Sequence, residues 1–146
     1  METDKLIKEI FEKNKTIAVF GMSTHPFKPA HYVPLFLKSN GFSIIPINTE
    51  ADMIADCKCY PSLKDVEERI DILEVFRPSD QALDVVKEAV ERKKATGDIG
   101  FIWLQLGIQN DEARKLAEEA GIPFIQNRCM KMEYNRLFPK KVTSFG

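Results

Sequence analysis

The apolar run "TIAVF" at 16–20 ends at Gly21, and Met22, Ser23, Thr24, His25 and Lys28 follow it closely. Glycine reaches positive φ and lets a ligand approach the main chain. Amides left free where a helix begins favour an anion. Ser23 and Thr24 add hydroxyl donors and Lys28 a point charge, so the stretch holds the parts of a phosphate cradle. The same residues also suit a tight strand-to-helix turn with Lys28 in solvent, and the motif alone does not choose. No G-K-[ST] follows the glycine, which excludes a Walker A loop. A dinucleotide fingerprint calls for three glycines and an acid closing the second strand. Here there is a single glycine and Asn48, with Glu50 and Asp52 deeper in the loop. An adenine nucleotide with an additional phosphate would need cations, and Lys28 and Arg77 are available.

These residues need a frame. Apolar spacing predicts a leading helix near 3–13 and strands at 16–20, 42–47, 71–76, 99–106 and 122–127, with a brief third strand inside 57–63. A helix opens at Pro29 with Ala30, Val33, Phe36 and Leu37 inward and stops at Gly41, with Pro34 either in its first turn or bending it. Ser79 caps a helix with Ala82, Val85, Val86, Ala89 and Val90 on one face. Asn110 or Asp111 caps another, which Gly121 ends, and the tail from Met130 forms a short helix and an extended end. Such alternation predicts the α/β class: a doubly wound parallel sheet in three layers, ordered about 3-2-1-4-5 with a sixth strand beyond. Ligands of such sheets sit outside the carboxyl ends of the strands, where the winding reverses. The residues at those ends include Asn48, Arg77, Gln105, Gly107 and Arg128.

The chain has 146 residues, enough for one domain over 1–146 with a core of its own. A net charge of -1 gives no reason to expect nucleic acid. No run nears the ~18 apolar residues of a membrane span. The acidic N-terminal segment reads as neither a signal nor a transit peptide. With 3 cysteines, an odd number, the expectation is reduced structural thiols and a cytoplasmic location. Cys57 and Cys59 form C-x-C without the partners of a zinc site, so no metal is expected.

The phrases "AVFGMSTHPFKPAHYVPLFLKSNGFSIIPIN", "CYPSL", "IDILEVFRP", "IWLQLGIQNDEARKLAEEAGI" and "NRCMKMEYNRL" closely resemble a family of small stand-alone coenzyme A-binding proteins. Their fold is similar to the CoA-binding domain of the succinyl-CoA synthetase α subunit. The resemblance covers about residues 15–137, in the family's order and spacing. It implies a Rossmann-like domain that holds CoA across the switch point. The family loop reads G-A-S-x-x-P-x-R; here Met22 replaces a small residue and Lys28 the arginine, so a bidentate grip becomes a point charge. Carried over, Gly21, Met22 and Ser23 approach the pyrophosphate and Lys28 a phosphate. Asn48 matches P-x-N, with Thr49 where a proline usually follows. Phe76, Arg77, Gln105 and Gly107 flank the nucleotide and the start of the pantetheine arm. Arg128, Cys129 and Glu133 match an R-C-x-x-x-E element with no settled role.

From the residues themselves, Trp103 belongs in the core, and Gln105 divides evenly between ligand and structural bonding. His25 and His31 face solvent, and Arg77 either meets a ligand or pairs with a carboxylate. Cys129 beside Arg128 could exchange with the CoA thiol, against a buried inert thiol. No nucleophile–base–orienter set stands out. The expected function is therefore non-catalytic binding of CoA or an acyl-CoA by a carrier, sensor or regulatory module. A small acyl-CoA enzyme and an NAD(P)-linked regulator are the rivals, and the protein partner is unknown.

Overall fold

The computed structural model of the protein describes residues 2–139, so the extended end expected after the last helix lies outside the described residues. Helix α1 (Glu2–Lys13) buries the stripe Ile7, Ile10 and Phe11, with Glu2 and Asp4 in its first turn and Lys13 in its last, the signs its dipole favours. Strand β1 (Thr16–Phe20) follows, then α2 (Pro29–Ser39) and β2 (Ser43–Ile47). After β3 (Met53–Ile54) and β4 (Cys57–Lys58) come β5 (Ile72–Val75), α3 (Ser79–Thr96), β6 (Phe101–Leu104), α4 (Asp111–Glu119), β7 (Phe124–Ile125) and α5 (Met130–Leu137).

Among the described residues the main sheet has 5 strands in the order β2-β1-β5-β6-β7, every pair parallel. Helix α2 joins β1 to β2 and packs with α1 and α5 on one apolar cluster, which includes Phe11, Val33 and Met130. Helices α3 and α4 join β5 to β6 and β6 to β7 over the other cluster, which includes Val86 and Ala117. The winding therefore reverses between β1 and β5, and the layers are helix, sheet, helix as expected.

One strand differs. The expected third strand does not extend the sheet: Cys57–Lys58 turns back on Met53–Ile54 as an antiparallel pair, and Tyr60 alone bridges to Ile47. Pro61 follows, and a residue without an N–H cannot continue the ladder. The ends of α3 and α4 also differ from each other. Ser79 starts α3 without capping it, and its hydroxyl accepts from the Gln109 N–H at 3.0 Å. Asn110 caps α4 as expected, accepting from the Ala113 N–H at 2.9 Å.

The inward face of α2 is His31, Val33, Pro34 and Leu37, with Ala30 and Phe36 only half-buried. His31 is thus not the solvent-facing residue its polarity suggests. It stands in line with Pro34 and Leu37, and it has a bond to make inside.

A register row crosses the sheet through Val19, Glu74, Trp103 and Ile125. Trp103 is core, its indole N–H donating to the Arg128 carbonyl at 2.8 Å. Glu74 is fully buried and its carboxyl oxygens have no hydrogen-bond partner among the described residues. Burial pushes its pKa up to about 8 from an ordinary 4.5. Between those values the unfolded chain has lost a proton that the native state keeps. Stability therefore falls as pH rises through that window, by roughly 1.4 kcal/mol per unit at most. We predict that urea midpoints drop more from about pH 5 to about pH 9 in the parent than in Glu74→Gln. Equal slopes would contradict this account.

Candidate functional site

The loop after β1 is anchored to α2 through both backbone groups of Ser23. Pro34 has no N–H, so it cannot bond the Ala30 carbonyl one turn back. That carbonyl instead accepts the Ser23 N–H at 3.0 Å. Nδ1 of His31 lies 2.8 Å from the Ser23 carbonyl, and since a carbonyl only accepts, Nδ1 carries the hydrogen. The Ser23 hydroxyl accepts the His25 N–H at 3.0 Å and closes the turn. Proline and histidine, both awkward on a buried helix face, together fix the loop.

Gly21 sits at φ 88°, its N–H donating to the Ile47 carbonyl at 3.0 Å. A Cβ there would lie 2.8 Å from the Phe76 carbonyl oxygen, so only glycine lets the β1 and β5 ends approach this closely. With Gly21 and Ser23 committed, the amides of Met22 and Thr24 have no partner among the described residues. The Met22 side chain is buried in the core, while its carbonyl accepts from Asn48 Nδ2 at 2.8 Å. Asn48 Oδ1 in turn accepts the N–H groups of Glu50 and Ala51, so this side chain braces the loops after β1 and β2.

These ends enclose a cleft of about 360 Å³. Gly21, Met22, Ser23, Lys28, Asn48 and Arg77 line it, as do Thr49, Glu50 and Pro61. An adjoining cavity of about 290 Å³ is lined by Pro29, Ala30, Phe76, Pro78, Gln105, Leu106 and Ile108. Lys28 and Arg77 line both. Neither cation has a carboxylate partner among the described residues; the Arg77 guanidinium lies 5.9 Å from the Phe20 ring centre.

Of the expected site residues, Gly107 lines neither cavity. It turns the chain at φ 88°, and its N–H donates to Asn127 Oδ1 at 2.8 Å. Gln105 is buried, its Oε1 accepting the Met130 N–H at 3.4 Å at the start of α5, so it supports that helix while lining the second cavity. Pro61 was not singled out, although it stands in the phrase "CYPSL"; the Ile47–Tyr60 bridge brings it to the cleft.

Arg128 and Glu133 have a structural role. Glu133 is held by Arg128 and by Arg136, the latter at 2.8 Å, and Arg136 clasps both oxygens of Asp4. Burial would raise the Glu133 carboxyl, but the two guanidiniums keep it below its ordinary range; the Arg136 bond does the same for Asp4. The network ties α5 to α1. Cys129 precedes α5 half-buried, and all three cysteines are free. Among the described residues no group of His, Cys, Asp and Glu could hold a metal, and no helix is long and apolar enough to cross a membrane.

Comparison with known proteins fits this geometry. The family model described as a CoA binding domain matches residues 15–135. The uncharacterized protein YneT of Bacillus subtilis is 36% identical over 128 residues, spanning 88% of this chain and 91% of that protein. The ADP-forming acetate–CoA ligase II of Archaeoglobus fulgidus is 35% identical over 106 residues, which is 71% of this chain but 15% of the ligase. A solved Thermus thermophilus protein superposes with a TM-score of 0.85 at 36% identity, over 92% of this chain and 98% of that one.

The glycine geometry makes a paired prediction. Gly107 also has φ 88°, but nothing lies within 4 Å of an added Cβ. Gly107→Ala should cost about 1–2 kcal/mol, from backbone strain alone. Gly21→Ala adds the clash with the Phe76 carbonyl and should cost roughly 3 kcal/mol or more. Urea unfolding of both variants measures the difference, and equal losses would contradict the close approach.

Proposed function

The chain belongs to the CoA-binding domain family, and from that premise we propose that it binds coenzyme A or an acyl-CoA without catalysing its conversion, as a carrier, sensor or regulatory module. The observation that carries this reading is the pair of adjoining cavities with Lys28 and Arg77 at their junction. CoA has the same order of parts: a nucleoside, a diphosphate, and a long arm of methylenes and amides. The nucleoside end suits the cleft beside Asn48 and Thr49. The diphosphate suits the junction, close to two cations and to the Met22 and Thr24 amides, all without partners among the described residues. The arm suits the second cavity, whose walls include Phe76, Pro78, Leu106 and Ile108. The kinship with an acetate–CoA ligase supports CoA over other nucleotides.

The non-catalytic part rests on how the candidate reactive groups are used. His31 is held on the Ser23 carbonyl, and Glu133 is held between two arginines. Neither is poised as a general base over the cleft. His25 lines the cleft but has no orienting partner among the described residues for its ring.

Thermal or chemical unfolding with CoA, acetyl-CoA, NAD, NADP and ATP tests the proposal. A ligand that binds only the folded state adds ~2.7 kcal/mol at about 100 times its dissociation constant. The CoA compounds should lead the panel; NAD ahead of them would overturn the reading, and turnover of acetyl-CoA would overturn its non-catalytic part. Lys28→Ala should weaken CoA by about 10-fold, the loss of one charged contact, as read by titration calorimetry. Unchanged affinity would remove Lys28 from the site.

A further inference from the structure

We propose that the end of the cleft next to β2 reads free ribose hydroxyls rather than a phosphate, with Glu50 setting the preference, so that among coenzyme A compounds the 3′-dephospho form binds more tightly. This rests on the nucleotide reading of the cleft given above.

In doubly wound sheets the ribose lies against the segment that follows the second strand. Here that segment, residues 48–56, contains Glu50, Asp52 and Asp56 and neither lysine nor arginine. Asn48 sets its path, with Oδ1 accepting the Glu50 N–H at 2.6 Å and the Ala51 N–H at 3.1 Å. This turn brings Glu50 into the lining of the cleft. No ion pair neutralises its carboxylate among the described residues.

Lys38 of α2 reaches this segment, its Nζ donating to the Ala55 carbonyl at 2.9 Å, but it does not line the cleft. Lys28 and Arg77 stand where the two cavities meet, at the place suited to the diphosphate. Lys58, the first base after the acidic segment, extends over the Tyr60 ring at 4.8 Å and does not line the cleft. His25 lines it from the glycine loop on the β1 side. Charged side chains lining the cleft thus run from Lys28 and Arg77 at the junction to Glu50 after β2, while Asp52 and Asp56 do not line it.

A carboxylate is an acceptor and ribose hydroxyls are donors, so the two match. A phosphate monoester carries close to two negative charges near neutral pH and offers acceptor oxygens. Against Glu50 it meets a like charge and gains no hydrogen bond.

Titration calorimetry of CoA and dephospho-CoA on the parent, Glu50→Gln and Glu50→Lys tests the idea. Glu50 is exposed, so the variants should fold, which circular dichroism checks. The parent should bind dephospho-CoA about 10-fold tighter than CoA. The ratio should shrink in Glu50→Gln and reverse in Glu50→Lys. CoA bound as tightly as dephospho-CoA by the parent, or a ratio unmoved in either variant, overturns the inference and leaves the nucleotide site standing. Binding of neither compound by the folded parent overturns the nucleotide site and this inference together.

Discussion

The candidate site depends on a hydrogen bond that a helix could not make for itself. Pro34 leaves the Ala30 carbonyl of α2 without its usual donor, and an orphaned acceptor at a packed interface is costly. The Ser23 amide fills the vacancy. His31, the residue after Ala30, takes the Ser23 carbonyl. The loop is therefore tied to α2 at two points, and α2 is fixed by Val33 and Leu37 in the core. Flexible loops lose entropy when they bind. This one has already been ordered by folding.

The second constraint is the contact between the β1 and β5 ends. Gly21 permits it, and the parallel register carries it across the sheet to β6. The winding reversal then leaves the two strand mouths open side by side. Asn48 adds a brace from β2, so three strand ends share one hydrogen-bonded framework. Arg136 pairs with Glu133 within α5 and with Asp4 of α1, and so holds α5 against α1. Trp103 bonds to Arg128 and Gln105 to Met130 at the start of α5, so Gln105 links the wall of the second cavity to that helix.

Much of this was legible in the sequence because it is local. The run into Gly21, Pro29 at the start of α2 and Asn110 before α4 are short-range signals, and they hold. The third strand misled because its apolar residues promise pairing while Pro61 ends it after one bridge. Ser79 misled because a hydroxyl at a helix start suits capping, yet this one was needed by Gln109 across the structure. His31 was masked by its polarity, although its spacing with Pro34 and Leu37 was visible. Pro34 was visibly awkward, but its beneficiary, Ser23, is a tertiary neighbour that no pattern along α2 discloses. Glu74 lay in plain view within "DILEVF", where a carboxylate interrupts an otherwise apolar strand. The role of Glu133 depended on Asp4 and Arg136, which lie at opposite ends of the chain.

The arrangement of cations separates folding from binding. Arg92 is spent on Asp98 and on the carbonyls of Leu63, Val66 and Glu68, which pin the segment before β5. Arg128 and Arg136 are spent on Glu133 and Asp4. For the buried Asp98 and Glu133 these contacts satisfy carboxylates whose burial would otherwise cost stability, while Asp4 is partly exposed. Lys28 and Arg77 have no such duty among the described residues, yet they stand together at the junction of two cavities. Cations that line a cavity with no carboxylate partner among the described residues add nothing to the fold through ion pairing. On the proposed function, an anion completes the site, and a diphosphate carrying a nucleoside on one side and an apolar arm on the other is the anion whose attachments would fit both cavities.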